Sequence, residues 1–243
     1  MAMNLVIDIG NSLVKLAVFR GSEIVHKMSV KDLEPDMIEN RRKSFPGLDR
    51  VILSSVGKPD PSLVSYLERS FEVAIQLDQH TPLPVINAYE TPETLGYDRL
   101  AAAAGANTIF PDSDVLIIDI GSAITFDFIN RDNRYLGGNI SPGMQMRFRA
   151  LNEYTSNLPL IEPGVQGKGF GKNTTEAIRR GVQCGIIHEI DGFIDDMKSE
   201  YADLKIIITG GDCSFFDNSL KNSIFVDLNL TLKGLNRILE YNA

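Results

Sequence analysis

A motif that occurs twice constrains the fold of this chain more than any other part of its sequence. Residues 5–12 read Leu-Val-Ile-Asp-Ile-Gly-Asn-Ser, and residues 116–123 read Leu-Ile-Ile-Asp-Ile-Gly-Ser-Ala. Each copy is an apolar run that ends in Asp-Ile-Gly and is followed by a second apolar segment. This pattern predicts a buried strand, a glycine-containing turn and a second strand. The recurrence predicts that the chain consists of two related halves.

The order of the predicted elements repeats together with the motif. In each half three predicted strands come first, and helices then alternate with strands. We therefore predict an α/β fold of two similar halves, residues 1–110 and 111–243, each with a mixed sheet and with a cleft between them. The Pro-rich passage 81–92 is too long for an ordinary turn, so we interpret it as a binding loop. Further predicted elements are strands at 115–118 and 123–129 and helices at 144–154, 174–201 and 230–241.

Composition and charge argue against several classes of function. The 243 residues carry a net charge of −8, and the basic cluster Arg41-Arg42-Lys43 is typical of a solvated helix end, so we expect no nucleic-acid partner. No apolar run approaches the roughly 18–20 residues that span a bilayer. We expect no membrane partner, no signal peptide and a cytoplasmic protein in which the isolated Cys184 and Cys213 stay reduced. The three histidines have no zinc-ligand spacing to either cysteine.

The turn after the first copy has the residue types that a phosphate site requires. Gly10 lets backbone N–H groups approach phosphate oxygens, and Asn11 and Ser12 offer further donors. The positively charged ammonium group of Lys15 can point to the same place. Asp8 would act on the phosphates through Mg²⁺ and water. The alternative is a plain strand end with an Asx-type turn, but the second copy favours the phosphate interpretation and an ATP-dependent phosphotransferase.

A third glycine turn, Thr209-Gly210-Gly211-Asp212, follows the last predicted strand. Two adjacent glycines let a flat ring or a ribose lie against bare backbone, so this turn is a candidate adenosine site. The stretch 166–174 fails as a P-loop, because Gln166 stands where the opening glycine is required and Asn173 where Ser or Thr is required. We interpret it as a mobile loop that leads into a helix capped by Thr174 or Thr175.

The segment Gly96-Tyr97-Asp98-Arg99 precedes an Ala-rich predicted helix and allows two interpretations. An Asp directly before a helix is most often its N-cap. In the functional alternative, Asp98 is the base that takes a proton from a substrate hydroxyl. Arg99 would then bind an anionic group of the substrate, and its planar guanidinium suits a carboxylate.

Taken together, these motifs resemble those of the type III pantothenate kinases, which belong to the acetate kinase/sugar kinase/Hsp70/actin group. The resemblance extends over almost the whole chain, and the order and spacing of the motifs make it specific. The motifs that carry it are residues 8–15, 96–99, 119–122, 137–143, 158–159, 171–174 and 209–212.

The resemblance implies two ribonuclease H-like (actin-like ATPase) halves and the ATP-dependent phosphorylation of pantothenate to 4′-phosphopantothenate, the first step of coenzyme A synthesis. It implies that Asp98 is the general base, that Asp119 binds a monovalent cation (K⁺ or NH₄⁺), and that the protein is a homodimer. The implied ATP contacts are Asp8, Ile9, Gly10, Asn11, Ser12, Leu13, Val14, Lys15 and Ser122. The implied pantothenate contacts are Tyr89, Gly96, Tyr97, Asp98, Arg99 and Thr174.

Three positions depart from the pattern of the family. Tyr97 stands where a smaller residue, often Ala, is usual, and it could narrow the substrate pocket. Ile120 and Ser122 stand where Phe and Thr are common, although Ser keeps the hydroxyl. Two other functions stay open: a kinase of the same superfamily acting on another small hydroxylated acid or sugar, and a non-enzymatic accessory transcription regulator, against which the acidic charge argues.

Overall fold

Strands and helices alternate along the part of the chain that the computed structural model describes, residues 3–165 and 169–243. The strands are β1 (Met3–Ile9), β2 (Val14–Arg20), β3 (Glu23–Val30), β4 (Leu48–Ser55), β5 (Val73–Gln76), β6 (Ile86–Asn87), β7 (Val115–Ile120), β8 (Ala123–Ile129), β9 (Arg134–Pro142), β10 (Lys205–Thr209) and β11 (Phe225–Val226). The helices are α1 (Pro35–Ser44), α2 (Pro61–Ser70), α3 (Tyr97–Ile109), α4 (Met144–Glu153), α5 (Thr174–Glu200), α6 (Cys213–Phe216) and α7 (Leu230–Tyr241).

The first copy of the motif lies in a five-stranded sheet of order β3-β2-β1-β4-β5. β1, β2 and β3 form an antiparallel meander, while β4 pairs in parallel with β1 and β5 in parallel with β4. β1 is the central strand and is buried on both faces, because Leu5, Val6 and Ile7 are all apolar. The turn of the motif therefore lies at the end of the central strand.

The second copy lies in a six-stranded mixed sheet of order β11-β10-β7-β8-β9-β6. β10 pairs in parallel with β7, and β11 pairs in parallel with β10. Alternate residues of β7 and β8, such as Ile118 and Phe126, pack against Ile186 and Ile190 of α5 in one buried cluster. The alternation places Asp119 on the face of β7 that points away from α5.

The chain forms two compact units. The first contains the residues up to Asp112 together with Ile129–Gly137 and Asn229–Ala243, and the second contains Ser113–Phe128 and Gly138–Leu228. α7 therefore belongs to the first unit although it comes last in the sequence. The division into residues 1–110 and 111–243 stays a prediction about the repeated halves.

In the first unit, α3 and α7 cross at very short distance. A Cβ on Gly105 would lie 2.5 Å from the carbonyl oxygen of Leu230, and a Cβ on Gly234 would overlap the carbonyl oxygen of Ala101. Both glycines are therefore required by the close approach of the two backbones. α7 is also tied to β1, because the buried side-chain amide of Asn4 donates a hydrogen bond of 2.8 Å to Asn236.

Most of the predicted secondary structure is confirmed. The two sheets combine parallel and antiparallel pairs, as predicted for an α/β fold with mixed sheets, and β8 and α7 begin and end at the predicted residues. The two-residue strands β6 and β11 were not predicted. Among the described residues, no helix combines the length and the apolar character that a transmembrane span needs.

Candidate active site

The turn of the first motif copy is a four-residue hairpin loop. β1 ends at Ile9 and β2 begins at Val14, and the N–H of Gly10 donates a hydrogen bond of 3.1 Å to the carbonyl oxygen of Leu13. Asn11, Ser12 and Leu13 are exposed. The loop therefore offers backbone and side-chain donors at the end of the central strand, as a phosphate site requires.

Asp8 is a buried carboxylate at the base of this loop. It is 6% exposed and pairs across the hairpin with Lys15. Burial raises the pKa of Asp8 to about 6, Lys15 opposes this effect, and the charge of Asp98 raises the pKa further. The two carboxyl groups therefore lie close enough within the first unit to influence each other electrostatically.

The interpretation of Asp98 as an N-cap is wrong. α3 begins at Tyr97, its N-cap residue is Gly96, and no side chain caps it. Asp98 instead lies in the first turn of α3, half-buried, and its Oδ1 accepts a hydrogen bond of 2.9 Å from the N–H of Arg99. A carboxylate in this position benefits from the positive end of the helix dipole. Tyr97, also half-buried, is the first residue of the same turn.

Tyr89 and Arg99 form an aromatic and cationic pair beside Asp98. The Arg99 side chain is 7% exposed, and its guanidinium carbon lies 5.9 Å from the centroid of the Tyr89 ring, within the range of a cation–π contact. A buried guanidinium with an aromatic neighbour is suited to a carboxylate ligand.

Sequence reasoning missed the residues that position Tyr89. The passage 81–92 contains β6, which pairs in parallel with the start of β9, and Asn87 accepts a hydrogen bond of 3.0 Å from the N–H of Tyr89. The Tyr89 ring packs on Tyr135, with 6.2 Å between the ring centroids. It also lies 3.5 Å from where a Cβ on Gly137 would be, and Gly137 has a positive φ of 128°. A two-residue strand leaves no recognisable signal in the sequence.

The turn of the second copy differs from the first. Gly121 and Ser122 alone connect β7 to β8, and the N–H of Gly121 donates to Ala123 over 3.0 Å. Gly143, just before α4, donates a hydrogen bond of 3.2 Å to the carbonyl oxygen of Ser122. A Cβ on Gly143 would lie 2.5 Å from that oxygen, so only glycine lets the start of α4 approach so closely. Asp119 is half-buried and Ser122 is exposed.

The third glycine turn lies directly beside the second. β10 and β7 are paired with Thr209 opposite Asp119, and the N–H of Asp212 donates a hydrogen bond of 2.9 Å to the carbonyl oxygen of Ile120. Gly210 has a φ of 100°, and a Cβ there would overlap the Ile120 backbone. The structure thus brings two of the predicted glycine turns together in the second unit. Partial burial raises the pKa of Asp212.

Thr174 is an exposed residue at the start of α5 and does not cap the helix. Asn173 has extended backbone angles and accepts a hydrogen bond of 2.9 Å from the N–H of Glu176. The predicted capping by Thr174 or Thr175 is therefore wrong, because the N-cap is Asn173, one residue earlier. Gln166 and its two successors, part of the predicted mobile loop, lie outside the described residues.

An open groove of about 870 Å³ lies between α4 and α5 in the second unit, and Thr174 is at its edge. Leu151, Leu158 and Ile178 give it a mainly apolar wall. The one guanidinium in the wall, that of Arg147, forms an ion pair with Glu189. Lys172 also lines the groove, so its mainly apolar wall carries an ammonium group as well.

Two carboxylates are candidates for binding cations, and their chemistry fits hard cations that prefer oxygen ligands. Asp8 is buried beside the hairpin loop. Oδ1 of Asp119 lies 3.5 Å from where a Cβ on Gly121 would be, so the carboxylate lies beside the turn. Within residues 3–165 and 169–243 no three His, Cys, Asp or Glu side chains form a metal-binding group. A cation at either carboxylate would need backbone, phosphate or water oxygens as its other ligands.

Comparison with solved structures identifies the fold. A Campylobacter jejuni protein named as a Baf family transcriptional activator superposes with a TM-score of 0.62 at 24% identity, over 98% of each chain. A glucokinase from an Antarctic psychrotroph gives 0.55 at 11% identity over 100% of each chain, and MreB5 of Spiroplasma citri gives 0.52 at 15% identity over 100% of this chain and 97% of that one. The predicted actin-like ATPase and sugar kinase fold is confirmed.

Comparison with known sequences identifies the family. A family model for type III pantothenate kinase matches residues 4–196. Type III pantothenate kinase from Bacteroides fragilis is 45% identical over 240 residues, which cover 99% of this chain and 98% of that protein. The enzyme of the same name from Phocaeicola vulgatus is 46% identical over 240 residues and 99% of each chain. This chain therefore belongs to the type III pantothenate kinase family.

Proposed function

We propose that this protein transfers the γ-phosphoryl group of ATP to the primary hydroxyl of pantothenate, giving 4′-phosphopantothenate, the first step of coenzyme A synthesis. The observation that carries the proposal is the proximity of Asp98 to Asp8 within one unit. This proximity places the candidate base, Asp98, beside the candidate phosphate site at Asp8, in a chain that belongs to this family. Catalysis would rest on in-line positioning and on neutralisation of charge.

Residues 8–15 bind the ATP phosphates in this proposal. The exposed loop residues Asn11 and Ser12 donate to phosphate oxygens, and Lys15 contributes positive charge from β2. Asp8 binds Mg²⁺ through water, and Mg²⁺ supplies neutralisation of the phosphate charge when it is bound. Ser122 contributes a hydroxyl to ATP, as the family resemblance implies.

Asp98 is the general base: it takes the proton of the pantothenate hydroxyl as the hydroxyl oxygen bonds to the γ-phosphorus, while the bond from that phosphorus to the β–γ bridging oxygen breaks and ADP leaves. Arg99 binds the pantothenate carboxylate, and the Tyr89 ring limits the positions that the guanidinium can take. Gly96 and Tyr97 complete the contacts of this segment with the substrate. Thr174 contributes a further substrate contact.

Asp119 binds a monovalent cation, K⁺ or NH₄⁺, in this proposal. Its position at the end of β7, beside the turn at Gly121 and Ser122, supports the assignment, because a hard cation prefers a carboxylate and other oxygen ligands. A cation there would lie next to the glycine turn at Gly210 and Gly211. That turn is the candidate adenosine site, so the cation and the nucleotide would share one part of the second unit.

We also propose that the protein is a cytoplasmic homodimer. Each subunit would consist of two related halves, residues 1–110 and 111–243. The apolar wall of the groove beside Thr174 supports a subunit contact, because such a surface is costly to leave in water. Cys184 and Cys213 are both thiols, as a reducing compartment requires. Light scattering after size-exclusion chromatography measures the subunit number directly.

The experiment that tests the function is a coupled assay of ADP release with pantothenate, MgATP and K⁺. Asp98→Asn should lower turnover by at least about 100-fold, since general base catalysis contributes roughly that much, and should leave ATP binding within about twofold. Asp60→Asn, at the exposed N-cap of α2, is the control and should keep full turnover. Wild-type turnover by Asp98→Asn would show that another group is the base.

The same assay separates the alternatives. Turnover with another hydroxylated acid or a sugar, in the absence of turnover with pantothenate, would identify a different kinase of this superfamily. A gel-shift experiment with DNA at low salt tests the regulator alternative. Tight binding of DNA together with no phosphorylation of any acceptor would contradict the proposed function.

A further inference from the structure

The carboxylate of Asp98 occupies the space that a side chain at position 96 would take. A Cβ on Gly96 would lie 2.5 Å from Oδ1 of Asp98, 3.7 Å from its Cγ and 3.8 Å from Cδ of Arg99. Oδ1 therefore folds back over the Gly96 backbone. The other atoms near that position lie at 3.7 Å and beyond, so the carboxylate alone has to move when a side chain is placed at residue 96.

The backbone at Gly96 does not require glycine. Its φ of −62° and ψ of 131° are angles that every L-residue adopts readily. Its role as the N-cap does not require glycine either, because Ser, Thr, Asn and Asp are better N-caps and would supply the capping hydrogen bond that α3 lacks. The requirement for glycine is therefore one of space.

We propose that Gly96 is a positioning residue for Asp98: the missing side chain keeps the carboxylate of the base folded back at the start of α3. There Oδ1 accepts the hydrogen bond from the N–H of Arg99. The inference rests on the proposed function, because it concerns the orientation of the group assigned as the base. It gives Gly96 a role through Asp98 in addition to the proposed contact with the substrate.

A methyl group at position 96 should move the carboxylate and leave the helix intact. The Asp98 side chain can rotate. Its Oδ1 has to move by about 0.9 Å to lie 3.4 Å from the new methyl carbon, an ordinary van der Waals separation. The N–H of Arg99 also donates to the carbonyl oxygen of Gly96 over 3.2 Å, so it keeps a partner when Oδ1 leaves. Displacements of about 1 Å in a reacting group cost up to roughly 100-fold in rate.

The test is Gly96→Ala in the full-length protein. We expect kcat with pantothenate to fall by about 10- to 100-fold, with the KM for ATP and for pantothenate each within about twofold. The amide ¹H–¹⁵N signal of Arg99 should shift, because its carboxylate acceptor moves. The control is Gly192→Ala in α5, where a Cβ meets nothing within 4 Å, and its kcat should equal that of the wild type.

A double-mutant cycle with Asp98→Asn distinguishes the failure of this inference from failure of the proposed function. If Gly96 acts through Asp98, the double variant should be no slower than Asp98→Asn alone. Additive losses, or a raised KM for pantothenate with unchanged kcat, would overturn the inference and leave Gly96 with its substrate contact as its only role. If Asp98→Asn alone keeps wild-type turnover, the base assignment fails, and the positioning role fails with it. A large fall in the melting temperature of Gly96→Ala with an unmoved Arg99 signal would also overturn it.

Discussion

Replacing Asp8 with asparagine should stabilise the ligand-free protein while abolishing its activity. Asp8 is 6% exposed at the end of the central strand, and burial raises its pKa from the ordinary 3.8 to about 6. At pH 7.5 the carboxyl group is ionised in both the folded and the unfolded protein. The folded state therefore contains a negative charge that it solvates less well than water does.

The size of the effect follows from the two pKa values. A tenfold change in proton affinity corresponds to about 1.4 kcal/mol, so a pKa of about 6 in place of 3.8 corresponds to roughly 3 kcal/mol of lost stability. The attraction of Lys15 is already contained in this balance. Asparagine has nearly the same shape and no charge, so Asp8→Asn should recover most of that free energy.

The pH dependence gives the sign of the effect. Between about pH 4 and pH 6 the folded protein retains a proton on Asp8 that the unfolded chain has released. The contribution of Asp8 to stability is therefore complete below pH 4, decreases as the pH rises to about 6 and is constant above that. The variant lacks this titration, so the difference in stability between variant and wild type should grow over the same interval.

Urea denaturation from pH 4 to pH 8, without nucleotide or Mg²⁺, measures the difference directly. Asp60→Asn is the control: Asp60 is exposed at the N-cap of α2, and asparagine caps a helix about as well as aspartate, so this variant should stay close to the wild type in stability over the same pH range. If Asp8→Asn is as stable as the wild type at every pH, Asp8 is not a desolvated carboxylate and the argument is refuted.

Two further predictions concern the helix crossing and the cation. Gly234→Ala should destabilise the protein by about 3 kcal/mol or more, because its methyl group overlaps the carbonyl oxygen of Ala101, which is backbone and cannot rotate away. Urea denaturation beside the control Gly192→Ala measures this, and a loss below about 1 kcal/mol would mean that α3 and α7 separate easily. Asp119→Asn should remove activation by K⁺ and NH₄⁺ in the coupled assay. An unchanged response to K⁺ would exclude Asp119 as the ligand.

Local sequence predicted the elements around the motifs because their signals are contained in short stretches. β8 is a mainly apolar and β-branched or aromatic segment, interrupted by Thr125 and Asp127, between a glycine turn and the polar residues 130–134, and α7 carries apolar residues at helical spacing. The hairpin at Gly10 and the tight turn at Gly121 follow from glycine next to small polar residues. These features depend on neighbours in the chain, so the sequence was sufficient for them.

Features that depend on distant partners were not predictable in the same way. β6 exists only because β9 lies beside it, and this pairing brings Tyr89 to Arg99. The N-cap of α5 was assigned to the wrong residue, because neighbouring polar residues compete for the same N–H groups and the backbone angles of Asn173 decide the outcome. The sequence left both interpretations of Asp98 open, and the start of α3 at Tyr97 excluded the N-cap.

The sequence alone determined the family, the mixed α/β sheets and the candidate residues of both motif copies. It did so because strand and turn signals are local and because the order of the motifs is specific. Only the tertiary structure decided that burial and Asp98 raise the pKa of Asp8, and that Gly96 provides space for the Asp98 carboxylate. Desolvation and steric exclusion depend on how the atoms around a group are placed in space, and the fold sets that placement both for near neighbours such as Gly96 and Asp98 and for distant residues such as Asp8 and Asp98.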